Sequence, residues 1–353
     1  MSGAGRRRRC ASASQPESYI SQWDSRSESK LCRVRASVRR RRNATDQAAT
    51  TDRPAVILPA GFEAAAQRLR MHPSFRATLA GYCRGMAEGA PAQWPVYKFF
   101  DQMRRYIVCY MLIHNYYAWQ HGEGPPPTLS ALQRVAGSSA RQTAGLVAAL
   151  KAGHLILAEP DPDDRRIRHL RPAREMIEEI GRSARLFVAA ADRLEVPSQN
   201  RAALLVTDEH ALGDVLRRSA AYVLAHGTLI HPFPRILHFA GRDCGYLLLN
   251  AVLCAHYAQN LPGASPPVAL SYRTLARRFQ VSPAHIGNLL GEAERRGWFA
   301  TGPSGRLVTM SEDFADEFEC WASWQMVHFS GLAAETTAFL AVQTAPRVTE
   351  PSG

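Results

Sequence analysis

The chain repeats itself at a spacing of about 140 residues, and a repeat of that length restricts the fold more than any single motif does. Arg105-Tyr-Ile-Val-Cys-Tyr-Met-Leu-Ile-His-Asn-Tyr-Tyr117 is apolar at helical intervals, and so is Gly245-Tyr-Leu-Leu-Leu-Asn-Ala-Val-Leu-Cys-Ala-His-Tyr257. Tyr106 falls opposite Tyr246, and Tyr117 opposite Tyr257. Each helix runs into a Gly/Pro-rich breaker, Gly122 to Pro127 and Pro262 to Pro267, and then into Leu-Ser, at Leu129-Ser130 and Leu270-Ser271. A short helix, a turn and a second helix ending at glycine follow in both copies, Ser139 to Ala152 before Gly153 and Pro283 to Arg296 before Gly297.

After each glycine comes a strand-type run, His154-Leu-Ile-Leu157 and Trp298-Phe-Ala300, then a turn and a second short strand. The turns, Pro160-Asp-Pro-Asp-Asp164 and Gly302-Pro-Ser-Gly305, carry hairpin chemistry. Three helices, a two-stranded wing and a further helix make a winged helix. The expected fold is therefore mainly α with small β wings, as two tandem winged helix-turn-helix domains. The expected boundaries are an Arg-rich tail without fixed structure over 1–55, a helical lead-in over 56–97, a first winged-helix domain over 98–200, a helical connector over 201–241, a second winged-helix domain over 242–340 and an unstructured end over 341–353. The closing helical stretches are expected at about Arg174 to Leu194 and Glu312 to Ala338. Pro232 and Pro234 mark a joint in the connector.

Leu275 to Leu290 is the sharpest local signal. Leu275, Ala276 and Phe279 turn the first helix inward, and Ala276 is small where a second helix crosses. Val281 fills the turn, Ser282 can cap the next helix, and Pro283 suits its first position, where no backbone donor is needed. Ile286, Leu289, Leu290 and Ala293 form a buried stripe. Ala284, His285 and Asn288 remain, small or polar, at the end that a recognition helix turns toward base edges. In the first copy Leu132, Val135 and Ala136 point inward, Gly137 makes the turn, Ser138 caps with Ser139 beside it, Leu146, Ala149 and Leu150 pack, and Arg141 and Gln142 are free. Arg can bond guanine and Gln adenine in bidentate fashion, each worth about 1–3 kcal/mol of discrimination.

These residues resemble the MarR family and other winged-helix bacterial transcription regulators over about 98–182, and more weakly over 242–330. In that family an Asp-x-Arg on the wing has its Asp hold an Arg that enters the minor groove, and Asp164-Arg-Arg166 is similar to it, with Arg165 and Arg168 adding charge. Leu170-Arg-Pro-Ala173 departs from the Leu-Thr and Gly expected next, and the second wing has only Arg306. The resemblance implies sequence-specific binding of double-stranded DNA and transcriptional regulation. The expected contacts are Ser138, Ser139, Arg141, Gln142, Asp164, Arg165, Arg166 and Arg168 in the first unit, and Arg273, Ser282, Ala284, His285, Asn288 and Arg306 in the second. A homodimer and a small-molecule effector stay open. Tyr106, Tyr110, Tyr116, Tyr117 and Trp119 could form core or line an effector pocket. Trp321, Trp324, Met326 and Phe329 are expected to pack between the units or between chains.

Charge is uneven. The net +12 includes +8 from residues 1–55, where thirteen Arg and Lys stand against five Asp and Glu, so pattern rather than pI has to carry a nucleic-acid reading. That tail could be an arm for phosphates, a transit peptide or sequence upstream of the true start. Seven scattered cysteines form no C-x-x-C pair, which points to a reduced, cytoplasmic protein, and the resemblance to DNA-binding regulators implies that it is nucleoid-associated. No apolar run reaches the roughly 20 residues of a membrane span. No phosphate loop, nucleophile elbow or metal-ligand spacing points to an enzyme, a cofactor or a metal. Two other functions fit two winged helices: a plasmid-type replication initiator, and a protein-interaction scaffold that does not bind DNA.

Overall fold

Apolar residues at helical spacing become helices, and turn chemistry separates them, through most of the chain. The structure, a computed structural model, describes residues 56–88, 96–195, 200–261, 270–302 and 308–344. The tail, the second Gly/Pro breaker, most of the second wing turn with Arg306, and the end beyond Thr344 lie outside the described residues.

The first half comprises α1 (Phe62–Arg70), α2 (Phe75–Glu88), a 3-10 turn (Val96–Phe99), α3 (Met103–Gln120), α4 (Leu129–Val135), α5 (Ala140–Ala152), β1 (Ile156–Pro160), β2 (Arg168–Pro172), α6 (Arg174–Ile180) and α7 (Arg182–Leu194). The second comprises α8 (Arg201–Thr207), α9 (Glu209–His226), α10 (Pro234–Ala240), α11 (Gly245–Asn260), α12 (Tyr272–Phe279), α13 (Pro283–Arg295), β3 (Phe299–Thr301), β4 (Val308–Met310) and α14 (Glu312–Thr344). The protein is mainly helical, with two small antiparallel strand pairs, β1 with β2 and β3 with β4. The strands start later than the sequence suggests, at Ile156 and Phe299 rather than His154 and Trp298, and α14 runs six residues past Ala338.

The two halves exchange helices. α2 lies against α11 of the second half, and α9 lies against α3 of the first. α1 packs on α14 while α8 packs on α7, and α7 and α14 pack on each other. Both halves therefore share one hydrophobic core. Phe187 of α7 stacks on Phe329 of α14 and meets Trp321 edge-on at 5.5 Å. Of the four residues expected between the units, Trp321, Met326 and Phe329 are buried there. Each aromatic or leucine buried in this seam stabilises the fold by about 1.5–3 kcal/mol.

Close approach decides two glycines. Tyr117 of α3 lies over Gly213 of α9, where an added Cβ would stand 2.0 Å from the tyrosine ring. At Gly181 a Cβ would stand 2.7 Å from Leu212 of α9, and here the expected single helix breaks into α6 and α7. Its counterpart α14 is unbroken over 33 residues.

Candidate nucleic-acid interface

In the first half α4 and α5 are joined by a short turn set by local chemistry. Thr128 caps α4 by accepting from the amide of Ala131. Gly137 adopts φ +59, a left-handed geometry that costs L-residues about 1–2 kcal/mol and glycine nothing comparable. The cap of α5 is Ser139, which accepts from the amide of Gln142 at 3.3 Å, and not Ser138. Ser138 instead turns inward, and its hydroxyl lies 3.2 Å from that of Thr143, which is fully buried.

The buried stripe of α5 is Thr143, Val147 and Leu150, so the expected Leu146 and Ala149 are only half-buried flanks. A hydroxyl at Thr143 hid that position from a search for apolar residues. Ala140, Arg141, Gln142, Gly145 and Ala148 face solvent. The neighbours of Arg141 and Gln142 on this face are therefore small, and a flat surface could reach both side chains.

Gly153 does not hold the left-handed exit from α5. Its φ is −85, and the residue at φ +57 is His154. The β1–β2 hairpin beyond it is pinned at both ends. At its base the amide of Leu170 donates to the carbonyl of Pro127 at 2.7 Å, and Arg171 pairs with Glu159 at 2.8 Å. At its tip Asp161 accepts from the amides of Asp163 at 2.8 Å and Asp164 at 3.0 Å, bonds that hold its carboxyl below the usual range. Asp164 in turn accepts from the amide of Arg166 at 3.0 Å, while the amide of Ile167 donates to the carbonyl of Asp164.

The bond from the Arg166 amide to the Asp164 carboxylate corrects the expected Asp-x-Arg pairing, because Asp164 holds the backbone of Arg166 and not its guanidinium. Among the described residues the guanidinium groups of Arg141, Arg165, Arg166 and Arg168 are exposed and form no ion pair. Arg134 and Lys151 on the neighbouring helices are exposed and unpaired in the same sense.

In the second half the buried stripe of α12 and α13 and the Ser282 cap follow the expected pattern. Leu275, Ala276, Phe279, Ile286, Leu289, Leu290 and Ala293 are buried, and Ser282 caps α13 by accepting from the amide of His285 at 3.1 Å. Val281 and Ile286 occupy the places that Ser138 and Thr143 take in the first half. The left-handed turn residue is Gln280 at φ +52, and the left-handed exit is Gly297 at φ +67. Ala284 and Asn288 are exposed, as is Arg273 on α12.

His285 is not free. Its ring Nε2 lies 2.9 Å from the carbonyl oxygen of Asp243, just ahead of α11, and the side chain is half-buried. Asp243 belongs to a cluster no local motif announces. Lys98 donates to Asp101 at 2.9 Å and to Asp243 at 3.1 Å, and Arg105 donates to Asp101 at 2.9 Å. Asp101 and Asp243 each stand two residues ahead of their half's long helix, α3 and α11. Burial, and then the hydrogen bond with Asp243, push the Asp101 carboxyl up to about 7. Burial alone would raise Asp243 too, but hydrogen bonds from Asp101 and Lys98 outweigh it and hold that carboxyl below its ordinary value.

The β3–β4 pair is shorter, with three residues in each strand. The side-chain amide of Gln259 replaces a neighbouring backbone there, donating to the carbonyl of Val308 at 2.7 Å and accepting from its amide at 2.8 Å. The aromatic cluster of α3 divides. Tyr110 and Tyr117 are buried, Trp119 lies tilted against His169 with ring centroids 4.8 Å apart, and Tyr106 and Tyr110 line a cavity between the halves.

Among the described residues no group of His, Cys, Asp and Glu is arranged to hold a metal, and no helix is long and apolar enough to cross a membrane. Comparison with models of protein families, with curated proteins and with solved structures returned no match.

Proposed function

We propose that this chain is a sequence-specific regulator of transcription that binds double-stranded DNA through two winged helix-turn-helix units, with α5 and α13 as recognition helices and β1–β2 as the principal wing. The observation that carries this reading is the unpaired basic surface of the first half. Arg141 at the start of α5 and Arg165, Arg166 and Arg168 on the wing are charged, exposed and free of internal partners. A structural role would normally consume some of those groups in ion pairs, as it does for Arg171. The positive end of the α5 dipole adds to the attraction for phosphate.

The units are unequal in this reading. The first grips the backbone with its wing and reads bases with Arg141 and Gln142. The second contributes Asn288 and Ala284, while His285 holds α13 to the seam. The reciprocal packing of the halves supports a single chain acting as a built-in pseudo-dimer on two unlike half-sites.

The test is the salt dependence of duplex binding. Replacing Arg165, Arg166 and Arg168 together with Ala is expected to weaken binding about 10- to 100-fold at all sequences and to flatten the salt slope by about 1 per lost phosphate contact. Arg141→Ala is expected to relax base preference by about 1–3 kcal/mol at one position and leave the slope nearly unchanged. Wild-type slopes and affinities in both variants would remove the basis of the reading.

A further inference from the structure

Asp101 and Asp243 hold the same position of the repeat, two residues ahead of α3 and of α11, and the packing of the halves brings their carboxyls into hydrogen-bond contact. Their surroundings differ. The Asp101 side chain is fully buried, whereas that of Asp243 is 43% exposed. Lys98 of the 3-10 turn reaches both, at 2.9 and 3.1 Å, and Arg105 of α3 lies 2.9 Å from Asp101 and 3.8 Å from Asp243. The side-chain amide of Gln102 donates to the carbonyl of Gly241 at 3.3 Å, which ties the segment 241–244 to the start of α3 beside the carboxyl pair.

The other charged and titratable groups on these elements are committed elsewhere or stay neutral. Arg242 lies 3.6 Å from Glu292 of α13, and burial pushes the Cys244 thiol up to about 12. α13 presents His285, whose ring Nε2 lies 2.9 Å from the carbonyl oxygen of Asp243. An imidazole with a proton on Nε2 donates there whether or not Nδ1 is protonated as well. A hydrogen bond between two carboxyls needs one proton, and the buried member keeps it: Asp101 is raised to about 7 while Asp243 is held below its ordinary value. Loss of that proton leaves two carboxylates face to face. Asp101 is enclosed with Lys98 and Arg105, so the solvated Asp243 is the one that withdraws.

We infer that Asp101 is a positioning residue for the second recognition helix: the proton it shares with Asp243 holds residues 241–244 on α3, these hold α13 through His285, and duplex binding through α13 weakens as that proton is lost. The proton and the duplex are then two ligands of one chain, and each favours the binding of the other by the same factor. The protonated seam is the state that fixes α13, so affinity is greatest at low pH and falls as pH rises through about 7. The effect on DNA rests on the function proposed above, whereas the link from Asp101 to His285 does not.

Carboxyl carbon and imidazole nitrogen resonances of the full chain without DNA, followed from about pH 5 to about pH 8.5, test that link. The Asp101 carboxyl is expected to titrate near 7, with a parallel shift at His285 Nε2. That parallel shift is expected to vanish in Asp101→Asn, whose side-chain amide donates to Asp243 at every pH. A His285 response unchanged by Asp101→Asn, or an Asp101 carboxyl already ionised at the acid end, would overturn the link. In a second arm, duplex affinity is measured at about pH 6 and about pH 8 at fixed salt, and wild type is expected to bind about fivefold more tightly at the lower pH. Asp101→Asn is expected to bind equally at both. His285→Ala, which cuts the link and leaves Asp101 to titrate, is expected to bind at both as weakly as wild type does at the higher pH, and it carries the test if Asp101→Asn fails to fold. Wild-type binding indifferent to pH, or a pH effect of full size in either folded variant, would overturn the coupling to DNA. Absence of duplex binding at both pH values would count against the proposed function, and the resonances alone would then decide the link.

Discussion

The helix pairs α4–α5 and α12–α13 solve one geometric problem with opposite residues. Both require a left-handed residue at the turn and another where the second helix leads into the hairpin. The first half has Gly137 at the turn and His154 at the exit, whereas the second has Gln280 at the turn and Gly297 at the exit. Under the turn, the first half places a hydroxyl pair, half-buried Ser138 and fully buried Thr143, where the second places Val281 and Ile286. The backbone path is thus the invariant, and each copy meets it with one strained position and one relaxed one. A chain that keeps strain in different places in its two copies has units that need not be equally stable or equally mobile.

The seam carries the same contrast in charge, and the largest effect is expected there. Asp101 and Asp243 stand at matching places, but only Asp101 is raised toward neutrality. A carboxyl whose pKa is higher folded than unfolded binds more protons when folded, so its contribution to stability falls as pH rises from about 4 to about 7. Relative to wild type, Asp101→Asn is expected to gain about 2 kcal/mol between pH 5 and pH 7.5, read from chemical unfolding at each pH. Asp243→Asn, at the carboxyl held below its ordinary value, should show no such gain. Equal behaviour of the two variants would erase the distinction between them.

The strained turn residues come next. His154→Gly and Gln280→Gly are each expected to stabilise the fold by about 0.5–1 kcal/mol, the relief of a left-handed L-residue being partly offset by added freedom in the unfolded chain. Gly137→Ala and Gly297→Ala should move stability the other way by a similar amount. Unfolding midpoints that follow the half rather than the residue type would break the reciprocal pattern.

The smallest effect concerns the hydroxyl pair. The double change Ser138→Val with Thr143→Ile should lie within about 1 kcal/mol of wild type, because both hydroxyls leave together. Thr143→Val alone leaves the Ser138 hydroxyl without its partner and should be the more destabilising of the two, by about 1 kcal/mol. A double variant clearly worse than the single one would mean that the hydroxyl pair does more than fill space.

How far the sequence foretold all this depends on how local each feature is. The apolar stripe and Ser282 cap of α13 are set within a dozen residues, and they stand as the pattern indicates. In the first copy the consecutive residues Ser138 and Ser139 offered two caps, and Thr143 interrupted the apolar stripe, so the frame slipped by one residue. The helix ends at Ala152 before Gly153 as the pattern indicates, but the left-handed residue is His154, one position later, which no local pattern marks. The exchange of α2 and α9 could not be read locally, because each helix is amphipathic whichever partner it covers. The cluster of Lys98, Asp101 and Asp243 joins residues more than 140 positions apart, and the halving of the α6–α7 stretch depends on how closely α9 approaches Gly181. Non-local packing supplied what local pattern lacked.

Selection of bound duplexes from a random pool by the full chain, followed by footprinting of the enriched sequences, tests the central claim most directly. One chain per duplex, protecting two unlike half-sites about one helical turn apart, is the predicted result, with the stronger protection on the half-site contacted by Arg141 and the first wing. A palindromic site that requires two chains, or a pool that shows no enrichment, would contradict it.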